Sequence, residues 1–305
     1  NFMWLPYQTG WALILIAIPQ LRNWSIDRIR NGGIGLKTYS GFFVVFFFGS
    51  SAGIQLNWVP SFATNPWPAE VWPVLIPIIA VERLAFVQPG LLTRPATLEL
   101  VDQAMPMGGE VVGGLGPCAV DRDPKGQLDE VIGLAEKYGR PLDIHLHERG
   151  EMGAFSMDLI LERTRALGMQ GKVAISHAFC LGMPDADHVR RLIDELAKER
   201  VTLVTTAPAS SPAPAVMACL KAGVVIAGGS DGVRDSWNPY GMGDMLERAT
   251  LVGLRNNFRR DEEMELALDV CTYQGAKVMD IANYGLEVGC TADFVILPGE
   301  TEPRT

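Results

Sequence analysis

From residue 82 onward the chain alternates between short apolar runs and amphipathic stretches. The apolar, β-rich runs end near Gln88 (VERLAFVQ), Leu115 (EVVGGL), His147 (PLDIHLH), His177 (KVAISH), Thr206 (VTLVTT) and Ser230 (VVIAGGS), at spacings of 27, 32, 30, 29 and 24 residues. Between them, periodic patterns predict helices over Thr97 to Met105, Leu128 to Tyr138, Ser156 to Leu167, Asp185 to Glu199 and Pro214 to Lys221. The stretch from Asp185 carries acidic residues in its first turn and Lys198 and Arg200 at its end, as a helix dipole favours. Continuous apolar strands alternating with such helices predict parallel βα units. Six units are legible, and eight close a (β/α)₈ TIM-type barrel. A doubly wound open sheet is the rival. It usually carries a Gly-rich phosphate turn, and GGLG at 113–116 lacks the G-x-G-x-x-G pattern.

Residues 1–80 break this rhythm. They hold six charged side chains (Arg22, Asp27, Arg28, Arg30, Lys37, Glu70), six of the seven Trp and none of the four His. Two missing units at about 30 residues each would occupy the same place in the chain. The segment is expected to stand in for the first two βα units as an atypical, non-native or mis-framed stretch. Residues 81–285 would then form an N-terminally incomplete barrel, and 286–305 the start of a small, truncated β-sandwich. A membrane anchor is not favoured: the runs Trp11 to Pro19, Gly41 to Gly49 and Val71 to Val81 fall short of the roughly 20 apolar residues a spanning helix needs. Trp4 to Ile18 comes nearest, and no basic n-region or A-x-A site suggests a signal peptide.

Composition narrows the function. The 305 residues carry 26 Lys+Arg against 35 Asp+Glu, a net charge of −9, which argues against a nucleic-acid footprint. The five cysteines form no C-x-x-C pair, so neither a disulfide framework nor a cysteine zinc site is indicated. The expectation is a reduced, cytoplasmic protein.

In a parallel barrel, chemistry gathers at the C-terminal ends of the strands. Gln88, His145 with His147 and Glu148, His177, and Asp231 all fall there. Strand alternation turns His145 and His147 to one face, with Leu146 opposite. Neutral imidazoles bind divalent Zn or Fe, and a carboxylate such as Asp231 completes an open site. Such a site lowers the pKa of bound water, and Glu148 could move its proton. For His147 three roles stay open: metal ligand, wall of the site, or a simple hydrogen bond. His188, within an Asp-rich helix, reads as a solvated surface residue. The run Phe42 to Phe48 reads as core or artefact rather than a ligand site.

From about Leu84 to Leu297 the chain resembles the cytosine-deaminase-like branch of the amidohydrolase superfamily. The stretches LAFVQPGLLTRP, PLDIHLHERGEMGAFS, KVAISHAFCLG, VVIAGGSDGVRDSWNPYGMGDML and YGLEVGCTADFVIL carry the likeness. HLHE, then SHA, then GSD-x-x-R-D-x-W-x-P-x-G is a specific combination. The loop bearing Asp231 is also similar to that of N-isopropylammelide amidohydrolases. The resemblance implies one divalent metal ion (Zn or Fe), with His145 and Asp231 as ligands, Glu148 as proton shuttle, and Asp231 and His177 steering the hydrolytic water. It implies Gln88 and Trp237 as substrate contacts. Two departures stand out. No His precedes His145, so the family's strand-1 His-x-His pair is absent; and Gly232 stands where cytosine deaminases tend to carry a second Asp.

The reaction implied is hydrolytic deamination of a cytosine-like heterocycle by a metal-bound hydroxide. The alternatives are an N-alkylamino-triazine amidohydrolase, a catalytically inactive fragment that lost its metal, and a membrane-tethered protein. The expected partner is a small heterocyclic substrate, with assembly into a homo-oligomer left open.

Overall fold

The computed structural model of the chain describes residues 44–48, 52–58, 80–87, 90–232, 240 and 243–291. Their strands form an eight-stranded sheet in which spatial order follows chain order. β1 (Val44–Phe48) pairs antiparallel with β2 (Ala52–Trp58), and β2 runs parallel to β3 (Ala80–Ala85). Thereafter β4 (Val111–Leu115), β5 (Leu142–His145), β6 (Val173–Ser176), β7 (Thr202–Thr205) and β8 (Ile226–Gly228) add on in parallel. A doubly wound sheet reverses its direction of travel at a switch point. From β3 to β8 this sheet advances without reversal, which removes the open-sheet rival and matches the progression of a barrel wall.

The helices fall close to their predicted spans: α1 (Pro95–Ala104), α2 (Pro124–Tyr138), α3 (Gly150–Ala166), α4 (Ala186–Lys198) and α5 (Val216–Lys221). Three more, α6 (Met245–Arg255), α7 (Asp261–Cys271) and α8 (Tyr273–Val278), follow β8. α2 starts with Asp123, whose carboxylate accepts the Gly126 N–H, and stops at Gly139 in the left-handed conformation. α4 is capped by Asp185, whose side chain accepts the His188 N–H. His188 itself lies in a surface network with Glu151 and Arg191, apart from the other histidines, as its solvated position predicts.

Strand alternation separates two environments. Leu142, Ile144 and Leu146 are buried in the large cluster that joins the sheet to its helices, together with Val131, Met157 and Ile160. The opposite face holds a small apolar cluster of Leu84, Phe86, Val111 and Leu115. By alternation, Asp143, His145 and His147 share that inner face, and so does Glu82 on β3. Among the described residues no helix is long and apolar enough to cross a membrane; the Trp4 to Ile18 stretch lies outside them.

Glu82 is a liability of this inner face. Burial first, then the nearby carboxylates of Asp143 and Glu110, push its pKa from 4.5 up to about 7. A carboxyl whose folded pKa exceeds its unfolded value favours the fold most at low pH, and that advantage is lost as pH rises from 4.5 through about 7. Glu82→Gln is therefore expected to raise the urea midpoint at pH 8, by on the order of 2 kcal/mol in stability, and to change it little near pH 4.

Candidate metal centre and active site

Parallel register builds the site. Leu115, His145 and Ser176 occupy one row across β4, β5 and β6, and Gly113, Asp143 and Ala174 the row beneath. Beyond β5, the extended chain carries His147 to the same face as His145. Beyond β6, His177 and Ala178 both take left-handed backbone conformations, with φ of 71° and 48°, and turn the chain sharply. Asp231, just past β8, does the same at φ 61°. Left-handed non-glycine residues cost about 1–3 kcal/mol each and gather at functional sites. Here they coincide with two residues singled out from sequence.

The outcome is a cluster of three imidazoles. One ligand atom from each of His145, His147 and His177 lies within 4.8 Å of the others. His145 Nδ1 is 3.4 Å from His177 Nε2. Phe86 packs against the His145 ring at 4.5 Å between centroids, and Phe179 stands 5.4 Å from His177, so apolar rings flank the cluster. His145 and His177 are buried, whereas His147 opens to solvent. Of the three roles left open for His147, the geometry brings it into the cluster.

The charges differ among the three. For His145, burial opposes protonation, but the carboxylates of Asp143 and then Asp231 prevail and hold its pKa above the ordinary value. Burial, and next the neighbouring His145 and His147, hold His177 well below it. His147 is pushed down to about 4 by the protein around its ring and then by His145. Two imidazoles therefore stand neutral near pH 7, with lone pairs available to a cation. Among the buried polar atoms without hydrogen-bond partners is Glu148 Oε2. Convergent imidazoles beside an unpaired carboxylate oxygen suit a divalent metal of the Zn or Fe type.

Glu148 is held by backbone rather than by side chains. After β4, Gly116 leads into a single wide turn, Pro117–Asp121, which presents free N–H groups. Glu148 Oε1 accepts from Cys118 N at 2.9 Å and Ala119 N at 3.0 Å. This leaves Oε2 buried without a hydrogen-bond partner. The same turn is pinned at its far end by Asp121. That carboxylate accepts the N–H groups of Leu91, Leu92 and Thr93 at 2.9–3.1 Å and the Gln127 side-chain amide at 2.8 Å. Burial disfavours its charge, yet these donors keep its pKa below the ordinary carboxylate range. Asp121 thereby fixes the loop that follows Gln88.

On the other side, Arg248 of α6 donates to the carbonyl of Thr206 and, at 3.5 Å, to that of Ser230, joining the loops after β7 and β8 beside Asp231. Gln88 and Trp237, the predicted substrate contacts, lie outside the described residues. Asp121, Asp143, Ser176 and Arg248 escaped the sequence reading. Only Asp143 carried a signal there, two residues before His145 and so on the same strand face.

Parallel strands that advance in chain order, with histidines and an acid at their ends, match the arrangement expected of a (β/α)-barrel whose chemistry sits at the strand ends. The comparisons agree. The family model described as Amidohydrolase family matches residues 67–304, and the chain belongs to that family. The match begins within the apolar segment, ahead of the seam in charge at residue 80. The chain is 31% identical over 221 residues to the N-isopropylammelide isopropyl amidohydrolase of Pseudomonas sp. (strain ADP), covering 72% of this chain and 55% of that protein. The crystal structure of N-isopropylammelide isopropylaminohydrolase from Burkholderia multivorans matches with a TM-score of 0.71 and 50% identity, over 73% of this chain and 57% of that one. A 5-methylcytosine deaminase from Klebsiella pneumoniae, liganded with 5-fluorocytosine, matches with a TM-score of 0.73 at 22% identity, over 83% and 65%. The chain spans about half the length of the curated relatives it matches. Sequence identity thus leans to the N-alkylamino-triazine enzymes, away from the cytosine-like substrate expected first.

Packing around Glu148 is testable. A Cβ at Gly153, in the first turns of α3, would sit 2.2 Å from the Glu148 carbonyl oxygen, whereas one at Gly133 in α2 meets open space. Gly153→Ala is expected to lower stability by about 1–3 kcal/mol or more. Gly133→Ala should raise it by about 0.5–1 kcal/mol. Urea unfolding of both variants checks the contrast.

Proposed function

We propose that this chain serves the hydrolytic removal of an amine from an N-alkylamino-triazine ring. The observation that carries the reading is its 50% identity to a structure named as an N-isopropylammelide isopropylaminohydrolase, joined by the 31% match to the Pseudomonas enzyme. Gly232 adds to it, since the resemblance to cytosine deaminases leads one to expect an Asp there. The sequential parallel strands support a (β/α)₈ barrel. Within it, residues 81–285 form the barrel portion, while most of the segment 1–80 and of the expected β-sandwich return at 286–305 lies outside the described residues.

In this reading His145 and Asp231, joined by His147 and His177, hold one divalent ion, Zn or Fe. When bound, that ion supplies Lewis-acid activation of water and of the ring. Glu148, fixed through Oε1, uses Oε2 to take a proton from water and deliver it to a ring nitrogen. The water oxygen bonds to the ring carbon, the exocyclic C–N bond breaks, and the second proton leaves with the amine. His177 orients the water by its ring. Gln88 and Trp237 contact the heterocycle.

The deciding experiment is a substrate panel with metal-supplemented protein. Release of isopropylamine from N-isopropylammelide, with cytosine left intact, is expected. Turnover of cytosine alone, or of neither compound, overturns the reading. Glu148→Gln should reduce kcat by about 10²–10⁴-fold with little change in KM. Elemental analysis should find close to one divalent ion per chain, and His177→Ala should reduce that content sharply.

A further inference from the structure

The histidine cluster leaves one nitrogen to be explained. His145 turns Nδ1 toward His177 Nε2, so its own Nε2 points away from the cluster. That atom is buried, makes no well-aligned hydrogen bond, and stands 3.4 Å from Asp143 Oδ2. Asp143 is itself buried, at 5% exposure, and lies two residues earlier on the same strand and the same face. Its orientation is set from the next strand. Ser176, in register opposite His145, brings its hydroxyl to 3.0 and 3.1 Å from the two carboxylate oxygens. A single hydroxyl proton satisfies one oxygen at a time, and an ionised carboxylate only accepts. Lone pairs therefore remain on Asp143, facing His145 Nε2.

We propose that Asp143, oriented by Ser176, keeps the proton of neutral His145 on Nε2 and so leaves the Nδ1 lone pair facing His147 and His177. The opposite tautomer sets a ring lone pair against a buried carboxylate and an N–H against the cluster. Asp143 is then a positioning residue: it touches no substrate and acts through the imidazole. Carboxylates that orient metal-binding histidines in this way affect ion affinity. The consequence for affinity rests on the metal reading above, whereas the tautomer does not.

The test uses two readouts on the purified chain. Long-range ¹⁵N-edited spectra of the metal-free protein, at a pH alkaline enough to keep the ring neutral, report which nitrogen of His145 carries the proton. Zinc affinity is measured by competition with a chromogenic chelator. The wild type is expected to show protonated Nε2. Asp143→Asn should move population toward the Nδ1–H form and weaken zinc binding by about 10–100-fold. Ser176→Ala should shift both readouts in the same direction and by less, and it keeps the test open should Asp143→Asn fail to fold. Asp143→Glu should restore part of the loss. A wild-type His145 protonated on Nδ1 overturns the proposal. So does a folded Asp143→Asn, or in its place Ser176→Ala, with tautomer and affinity unchanged. Failure of wild-type chain to bind zinc, with Nε2 protonated, counts against the metal reading and supports the role of Asp143.

Discussion

The site depends on the parallel register across β4, β5 and β6. Because side chains alternate with a period of two, a slip of one residue would exchange the faces of a strand. On β5 and its extension that exchange would drive Asp143, His145 and His147 into the helix layer and Leu142, Ile144 and Leu146 into the polar interior. The three apolar residues are each at most 1% exposed. Burying each one favours the observed register by about 1.5–3 kcal/mol. The register that satisfies the core is thus the one that assembles the imidazoles. No separate force has to select the site.

Around that row, carboxylates organise the loops. Glu148 and Asp121 bind opposite ends of one turn, Pro117–Asp121, and Asp121 reaches on to the backbone at Leu91–Thr93. Both accept from backbone N–H groups, and Asp121 accepts in addition from the Gln127 side-chain amide. Arg248 performs the complementary task with backbone carbonyls of Thr206 and Ser230. Loops from β3, β4, β7 and β8 are consequently fixed by few ionic groups, of which Asp121 and Glu148 are buried. The left-handed residues His177 and Ala178 are held by backbone hydrogen bonds from their N–H groups to the carbonyls of Val204 and Ser176.

The chain belongs to the amidohydrolase family, and its three-histidine cluster lies at the ends of β5 and β6, where a parallel sheet of this kind gathers its polar groups. Identity with the N-isopropylammelide enzymes is more than twice that with the 5-methylcytosine deaminase, at 50% against 22%, while the TM-scores are nearly equal, at 0.71 and 0.73. Fold is shared across the two substrate classes. Preference between them lies in side chains, which is why Gly232 and the loop residues weigh more than the strands do.

By itself the sequence determined the alternation of strands and helices after residue 81, the faces of those strands, and the polar residues at their ends. These follow from local periodicity, which a linear chain displays directly. It also separated His188 from the other histidines, because that residue falls outside the core face of its amphipathic helix, which is formed by Leu192, Ile193 and Leu196. Tertiary structure decided who meets whom. His147 joins His145 and His177 only through two adjacent strands and a left-handed turn. Ser176 finds Asp143 from 33 residues away, and the turn at Pro117–Asp121 offers Glu148 its N–H groups from 30 residues earlier. Such partners depend on register and loop conformation. Both are set by burial summed over the whole sheet, and no window of the sequence contains that sum.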